Sequence, residues 1–481
     1  MNETSGLGSY RLRALSPNLS VAVSHSGDHA YLSDAEVATL AQAPEDLPVP
    51  CLAELKSKFF FGPQSLPGMG RLLASRIASK QETVLNGPSL HILVTTLSCT
   101  HSCRYCQVSR SLNEEGVSMS IEDLDAACAT IFQSPSPVLT VEFQGGDPMM
   151  RFDLVQHAIE RITEINQTEQ RRVRFVVATS LHNLTEAHCA FFKAHEVYLS
   201  TSLDGPAVLH NKNRPIPTRD AHARTLQGIA RARELIGPDA VSALMTTTRD
   251  SLAYPEAIVD EYVEQGFHEV FLRPLSLYGF AYRNAQHLGY TNEAFHAFYE
   301  QAFERVLYWN RQGIPFREVS AAIALTKMLS PFDAGFVNLQ SPTGAGLAAL
   351  IYNYDGYVYP SDESRMLREM GDPGLRLGRI GEPLAQLLDT PLQHDLIRSS
   401  LVRYIPECRD CAYQLFCGPD PIEAYGRFGN VAAPVTLTGH CQRQRWLFDF
   451  LFKRLHAEDS WFTDLAYSWA IPRSSGGERH A

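Results

Sequence analysis

Three cysteines fall within eight residues of one short stretch, CTHSCRYCQVSR (residues 99–110). They are Cys99, Cys103 and Cys106, in a chain that has ten cysteines in 481 residues. In a reducing compartment, thiolates at such spacing bind a metal rather than form a disulfide framework. A [4Fe–4S] cluster has four irons, so three cysteine ligands leave one iron open to a small molecule. A zinc loop is the alternative that the spacing alone leaves open.

A second group of cysteines lies towards the C-terminal end: Cys408, Cys411, Cys417 and Cys441. Four thiolates complete the ligand set of a [4Fe–4S] cluster, which would leave no open iron and would suit electron transfer. A structural zinc site takes four cysteines equally well, so the spacing leaves both interpretations open.

The remaining potential ligands are expected to have structural roles. Three cysteines have no partner at ligand spacing and are expected to pack in the interior: Cys51, Cys128 and Cys189. His101 lies between the first cysteines and is expected to be a solvent-facing loop residue rather than a fourth ligand.

From residue 90, apolar β-rich runs alternate with amphipathic helical patterns such as 152–166 and 219–235. The predicted strands are 90–96, 138–144, 172–180, 196–203, 240–247 and 268–275. Apolar strands that alternate with helices predict a parallel sheet with helices outside it, hence a barrel or partial barrel. Its chemistry would lie at the C-terminal ends of the strands, where the first cysteine stretch begins.

Other regions flank the predicted barrel. Two short strands and two helices are predicted before it: 10–15, 20–25, 33–42 and 51–60. A Pro/Gly-rich linker or start of a bridging helix follows at 61–70. Beyond the barrel, 291–328 has a helical pattern, Asp355-Gly356 predicts a hairpin turn, and the tail 472–481 is expected to be disordered.

Composition limits the partners. The formal charge is −11 and the sequence has no basic stripe, which argues against nucleic acid as the main partner. The chain lacks a signal-like start and any apolar run near the length of a membrane span, so we expect a cytoplasmic protein without a membrane partner.

The spacing Cys99-X3-Cys103-X2-Cys106, with Tyr105 before the last cysteine, resembles the signature of the radical S-adenosylmethionine (SAM) enzymes. The resemblance implies that the three cysteines hold a [4Fe–4S] cluster whose open iron chelates the amino and carboxylate groups of SAM. One electron then splits the sulfonium, and the 5′-deoxyadenosyl radical abstracts a hydrogen atom from a substrate.

Two further stretches resemble cofactor motifs of this family. EFQGGDP (residues 142–148) resembles its Gly-Gly-Glu-Pro motif with an Asp in place of Glu, and STSLDGPAVLHNKNRP resembles its fourth-strand motif. The match implies that Ser202 contacts the ribose and Arg214 the carboxylate of SAM. The remaining residues implied to contact the cofactor are Gln144, Gly145, Gly146, Asp147, Pro148 and Asp204. Taken alone, each stretch would be an ordinary turn, cap or surface charge.

The C-terminal cysteines resemble the SPASM domain of peptide-modifying radical enzymes, with departures. Thr343 and Ser361 stand where two cysteines of that pattern belong, and Pro421 stands at a third position. These positions chiefly serve the inner of two auxiliary clusters, so the resemblance implies one auxiliary [4Fe–4S] cluster and two clusters in total.

Residues 89–110 are most similar to the radical maturase of the His-Xaa-Ser system, whose relatives form crosslinks, including cyclophanes, in ribosomally made precursor peptides. Closing such a bond removes two electrons, and a fully ligated auxiliary cluster would accept the second. A sulfatase-type maturase that makes formylglycine is an alternative, and a non-enzymatic zinc scaffold is an alternative of another class.

The N-terminal pattern resembles winged-helix elements that bind leader peptides, although a structural cap on the barrel explains it equally well. The implied partners are a precursor peptide with its leader, a flavodoxin- or ferredoxin-like reductant and a possible second maturase.

The fold class is α/β: a partial (β/α)6 TIM-like barrel with a small N-terminal α+β domain and a C-terminal SPASM-like domain. The predicted domains, in chain order, are 1–65, a linker at 66–88, the barrel at 89–290, a helical connection at 291–340, the SPASM-like domain at 341–450 and a helix with a tail at 451–481.

Overall fold

The computed structural model describes residues 8–61, 68–112, 116–457 and 460–471. The chain folds into two compact units, each built from segments distant in sequence. One unit comprises 1–85, 321–344 and 396–481, and the other comprises 86–320 and 345–395. The expected disordered tail and most of the expected linker lie outside the described residues.

The first unit begins with a small α+β arrangement. An antiparallel sheet in the order β1-β2-β3 consists of β1 (Tyr10–Ser16), β2 (Leu19–Ser24) and β3 (His29–Leu32). Four helices follow: α1 (Asp34–Gln42), α2 (Val49–Ser57), α3 (Met69–Ser79) and α4 (Glu82–Leu85). Ser33 starts α1 with a capping box, since its side chain accepts from the Glu36 N–H and the Glu36 carboxylate accepts from the Ser33 N–H. The core of this part consists of Ala22, Ala30, Leu32, Leu40, Leu47, Leu55, Phe60 and Phe61.

The second unit contains the barrel strands. They are β4 (Leu90–Thr96), β5 (Val138–Gly145), β6 (Arg172–Ala178), β7 (Val197–Ser202), β8 (Val241–Thr246) and β10 (Leu272–Arg273). The short strand β9 (Glu269–Val270) precedes β10 and lies outside their sheet. The helices between them are α5 (Ile121–Ile131), α6 (Phe152–Glu169), α7 (Glu186–Ala194), α8 (Ala207–Asn213), α9 (Ala221–Leu235) and α10 (Pro255–Glu264). Neighbouring strands pair in parallel in the order β10-β8-β7-β6-β5-β4, which confirms the predicted partial barrel.

The predicted hairpin forms and joins this sheet. Its arms are β12 (Ala349–Tyr352) and β13 (Tyr357–Tyr359), and Gly356 has φ 81° in the turn between them. β12 pairs in parallel with β4, and β14 (Gly378–Arg379) pairs with β13, so the sheet has nine strands. The sequence predicted the hairpin but not its place beside the first barrel strand, because that pairing joins residues far apart in the chain.

The remaining elements are α11 (Gly279–Arg283), α12 (Ala285–Leu288), α13 (Asn292–Arg311), β11 (Arg317–Glu318), α14 (Val319–Leu329), α15 (Asp362–Glu369), α16 (Leu384–Leu388), α17 (Pro391–Ser400), α18 (Pro406–Arg409), α19 (Pro421–Phe428), α20 (Gly439–His456) and α21 (Ser460–Ala470). The helical pattern predicted over 291–328 is thus two helices separated by β11, which pairs with β9.

The two faces of the barrel sheet differ in polarity. Residues paired across parallel strands lie on the same face, and the paired residues Phe143, Val177 and Leu199 are almost completely buried. Alternate residues lie on the opposite face, which is only half-buried and largely polar. We call this opposite surface the inner face and define it by Glu142, Gln144, Ser200, Ser202, Thr246 and Arg273.

Candidate functional site

The first cysteine stretch forms a loop that folds back directly after β4. The N–H of Leu97 donates to the Val117 carbonyl at 2.9 Å, and the N–H of Cys99 donates to the Ser111 carbonyl at 3.1 Å. A cysteine loop at the C-terminal end of the first barrel strand agrees with the position predicted from the sequence.

The backbone of this loop is held by two other segments of the barrel unit. The Ser102 N–H donates to the Pro215 carbonyl at 3.0 Å, and the Arg104 N–H donates to the Asn213 carbonyl at 3.0 Å. At its end, the carbonyl of Cys106 accepts from the N–H of Phe280 in α11 at 2.8 Å. The loop is therefore positioned by the end of α8 and by α11 as well as by its own strand.

The three thiols of this loop fit an iron-containing group. Burial, followed by the negative charge of Asp147, raises the pKa of Cys99 to about 12, and burial raises that of Cys103 to about 11 against the opposing charge of Arg214. Thiols in such a setting ionise only beside a positive partner, which a bound iron supplies. Three such donors on one loop satisfy three irons of a [4Fe–4S] cluster.

Tyr105 joins two other predicted cofactor residues. Its hydroxyl donates to the Asp204 carboxylate, 2.8 Å from each oxygen, and accepts from Nη1 of Arg214 at 2.8 Å. Burial raises the pKa of Asp204, whereas the Arg214 guanidinium and the Tyr105 hydroxyl favour its charged form. The bond to Tyr105 is the only hydrogen bond of the Arg214 side chain to a described residue, so other guanidinium donors are available to a ligand carboxylate.

The two glycines after β5 are required by a close backbone crossing. Gly145 has φ 140°, and a Cβ at this position would overlap with the Thr96 carbonyl oxygen. A Cβ at Gly146 would overlap with the carbonyl oxygens of Leu97 and Ser98. Only glycine permits this approach, which seats the start of the cysteine loop on the end of β5.

Asp147 is tied to the end of the neighbouring strand. Its buried carboxylate accepts four hydrogen bonds, from the Met149 N–H, the Thr179 hydroxyl, and the N–H and hydroxyl of Ser180, at 2.6 to 3.1 Å. Its own N–H donates to the Ser98 carbonyl at 2.8 Å. The side chain therefore joins the ends of β5 and β6, while its contact with the amino group of a cofactor stays a prediction.

The other predicted cofactor residues lie around the same strand ends. Gln144 and Ser202 are on the inner face, near the C-terminal ends of β5 and β7. Pro148 is buried in the turn that follows Asp147. The structure thus places the predicted cofactor residues in one unit, at or after the strand ends, and Arg214 joins them from the end of α8 through its bond to Tyr105.

The expectation that His101 faces solvent is wrong. Its side chain is 1% exposed, and its ring centroid lies 4.4 Å from that of His182. Burial, followed by the positive charge of Arg214, lowers the pKa of His101 to about 2, so the imidazole is neutral. The hydrogen bond of Ser102 to the segment after α8 draws this part of the loop inward, which spacing along the chain does not reveal.

The second cysteine group converges in the other unit. Burial and the neighbouring thiolates of Cys411 and Cys441 raise the pKa of Cys408 to about 12. The same causes raise the pKa of Cys417, which has all three other cysteines as neighbours. Thr438 caps α20 by accepting from the Cys441 N–H at 3.3 Å. The four donors fit one fully ligated cluster, and they also fit zinc.

The three positions that depart from the SPASM pattern have structural roles. Ser361 caps α15 by accepting from the Ser364 N–H at 3.2 Å. Thr343 is buried, and its N–H donates to the hydroxyl of Ser400 at 2.9 Å. Pro421 opens the first turn of α19.

Sequence reasoning missed an acid and imidazole group beside the second cysteine group. Side-chain atoms of Asp420, Glu423 and His440 lie within 4.8 Å of one another. Glu423 pairs with Arg443 at 3.1 Å, and Nε2 of His440 is 2.8 Å from the Gly418 carbonyl oxygen. These protein contacts make the group a polar network that supports the cysteine loop.

Residues 93–262 match the family model of the radical SAM superfamily. This segment runs from β4 to α10 and contains the first cysteine loop and every predicted cofactor residue. The match identifies residues 93–262 as a radical SAM domain, and the fold and the site geometry agree with it. A [4Fe–4S] cluster and SAM are thereby implied at this site.

Relatives of this chain include a cysteine-type anaerobic sulfatase-maturating enzyme of Clostridium perfringens. It is 23% identical over 391 residues, which are 76% of this chain and 98% of that protein. An uncharacterised protein of Synechocystis sp. is 28% identical over 183 residues, which are 36% of this chain. The match spans 44% of the Synechocystis protein, less than half of its length.

Solved structures show the same fold. Native anSMEcpe with bound AdoMet superposes with a TM-score of 0.64 at 17% identity, covering 79% of this chain and 99% of that chain. Streptococcus suis SuiB bound to precursor peptide SuiA has a TM-score of 0.54 at 12% identity, covering 91% and 100%. These SPASM-type neighbours share a partial barrel with a small N-terminal sheet and a helical C-terminal region.

Among the described helices of this chain, none has the length and apolarity that a membrane crossing requires.

Proposed function

We propose that this enzyme modifies a ribosomally synthesised precursor peptide and closes an oxidative, cyclophane-type crosslink within it. When bound, the cluster and SAM supply a 5′-deoxyadenosyl radical that abstracts a hydrogen atom from the peptide. The observation that carries the proposal is the three-cysteine loop, with Cys103 buried and the other two cysteines partly buried, beside the Tyr105, Asp204 and Arg214 group.

The residues of the chain would bind and orient the cofactor. Arg214, fixed through the Tyr105 hydroxyl, offers donors to the carboxylate of SAM, and Ser202 offers a hydroxyl to its ribose. Backbone carbonyls around Gly145 and Gly146 would receive its ammonium group, because the Asp147 carboxylate already holds four protein donors.

The second cysteine group supports an oxidative outcome. Closing a bond with loss of two hydrogens removes two electrons from the peptide, and abstraction of one hydrogen atom accounts for one. We propose that Cys408, Cys411, Cys417 and Cys441 hold one auxiliary [4Fe–4S] cluster that accepts the other. A flavodoxin- or ferredoxin-like protein would supply the starting electron, and a second maturase is a further possible partner.

The N-terminal sheet is proposed as the leader-recognition element. β3 is an edge strand of the sheet β1-β2-β3, and an extended peptide can add to such an edge. SuiB, whose fold is similar over this region, has been solved with its precursor peptide. A structural cap is the alternative role for this part of the chain.

Formylglycine formation is the second candidate activity. It is favoured by the sequence match to the Clostridium perfringens sulfatase-maturating enzyme over 76% of this chain. The departures at Thr343, Ser361 and Pro421 argue against it, since they remove ligand positions of the SPASM pattern.

Iron and acid-labile sulfide of the anaerobically reconstituted protein test the cofactor assignment. About eight irons should fall to about four when Cys99, Cys103 and Cys106 are all replaced by Ala. Zinc in place of iron would favour the scaffold interpretation.

Peptides encoded beside the gene test the reaction. With SAM and reductant, a crosslink lowers the peptide mass by two hydrogens and blocks fragmentation within the ring. Formylglycine would instead give an aldehyde that a hydrazide reagent traps. Recovery of the aldehyde product would replace the crosslinking proposal with the second candidate.

A further inference from the structure

Arg365 is a completely buried arginine in α15 whose hydrogen bonds are incomplete. Its Nε donates to Oδ1 of Asp362 at 2.7 Å, and its Nη2 lies 3.5 Å from Oε1 of Gln144. Within the part of the chain that the structure describes, Nη1 has no acceptor at all. A guanidinium carries five N–H donors, so most of its capacity is unused.

The Arg365 side chain lies against the inner face beside Gln144, one of the predicted cofactor residues on β5. Gln144, its neighbour, also donates from Nε2 to Oε1 of Glu142 at 2.8 Å. Arg365 and Asp362 thus continue a polar row that begins on β5. No sequence pattern indicated this contact, since α15 follows the hairpin and reaches β5 only through the tertiary fold.

A buried donor without an acceptor is costly, because it loses its water and regains nothing. An apolar side chain would fill the same space without this cost. An arginine whose buried Nη1 has no acceptor among the described residues therefore indicates an acceptor that a bound ligand supplies.

The charges around the guanidinium indicate which acceptor fits. Asp362 contacts it directly, and Glu142 is close enough to Asp362 and to Arg273 for both to shift its pKa. The charge of Arg365 also favours the ionised form of Glu369, so the guanidinium already has several carboxylates nearby, and Nη1 needs a neutral hydrogen-bond acceptor rather than another counterion. The carbonyl oxygen of a peptide bond is such a neutral acceptor.

We propose that Nη1 of Arg365 donates to a backbone carbonyl oxygen of the peptide segment that lies against the inner face. Arg365 is then a positioning residue that recognises an amide in preference to a carboxylate. This inference rests on the proposed peptide-modifying function and adds the chemical group by which the peptide is held.

Equilibrium dialysis with two small probes tests the inference without turnover. The probes are radiolabelled N-acetylalanine methylamide and N-acetylalanine, which differ in that one ends in an amide and the other in a carboxylate. Binding is measured to the reconstituted full-length protein with SAM and without reductant. The wild type should bind the methylamide more tightly than the carboxylate.

Three variants make the result specific. Arg365→Lys keeps a positive charge for Asp362 but removes the forked donor, and it should weaken methylamide binding about tenfold. Arg365→Met should do the same. Arg368→Met is the control on the same helix, since Arg368 already pairs with Asp355 and Glu369, and binding should be unchanged.

Thermal unfolding of the same variants separates binding from structure. Both Arg365 variants lose guanidinium contacts with Asp362 and Gln144, so binding is compared at a temperature at which the melting curves show every variant folded. Equal binding by the wild type and both Arg365 variants would overturn the inference, as would tighter binding of the carboxylate or no binding of either probe. Because no reductant is present, a failure of radical chemistry would appear in the turnover assay and not here.

Discussion

Replacing Asp147 by Asn tests whether this residue serves the fold or the cofactor. The carboxylate accepts four hydrogen bonds from three residues at the ends of β5 and β6. An amide keeps one acceptor oxygen and turns an NH2 group towards the remaining donors, so about two of these bonds are lost. A hydrogen bond to a charged group contributes about 1.5–3 kcal/mol, so local stability should fall by roughly 3 kcal/mol or more.

Hydrogen exchange measures this change locally, because the amides of Met149 and Ser180 donate to Asp147. A loss of about 3 kcal/mol predicts exchange at these amides about 100-fold faster in Asp147→Asn. Exchange is followed by mass spectrometry on reconstituted protein without SAM, so only protein contacts contribute. Asp153→Asn is the control, since Asp153 is exposed and its pair with Arg151 lies at the surface.

Unchanged exchange at Met149 and Ser180, together with loss of SAM binding, would refute the structural reasoning. Asp147 would then act on the cofactor directly, as the family motif implies. Faster exchange with SAM binding that recovers at high cofactor concentration would support the role in joining the strands.

Three further predictions concern other sites. Tyr105→Phe removes the hydroxyl that holds Arg214 and should raise the Kd for SAM about tenfold, measured by equilibrium dialysis, and unchanged affinity would contradict this. Cys411→Ala should leave SAM cleavage intact and reduce peptide product at least tenfold by chromatography, whereas Cys51→Ala, the control, should reduce neither. Burial lowers the pKa of Lys80 to about 8, so the folded state loses its proton first and gains about 1 kcal/mol of stability between pH 8 and pH 9. Denaturant unfolding should show this gain in the wild type and not in Lys80→Met, and the same slope in both would exclude Lys80 as its source.

Local patterns determined much of the barrel unit. Alternating runs of apolar strand and amphipathic helix predicted each barrel strand to within a few residues, because burial of one face imposes a period on the sequence. The three-cysteine spacing and the glycines after β5 placed the candidate site at the strand ends. These features depend on residues that are neighbours in the chain, so the sequence alone carries them.

Tertiary structure decided the features that join distant segments. It placed the hairpin beside β4, buried His101 against His182, and engaged Asp147 with the end of β6. It also brought Arg365 of α15 to Gln144 of β5, across 221 positions of the chain. Side-chain types and local periodicity can be read directly from the sequence. The partners that a buried polar group acquires depend instead on how whole elements pack.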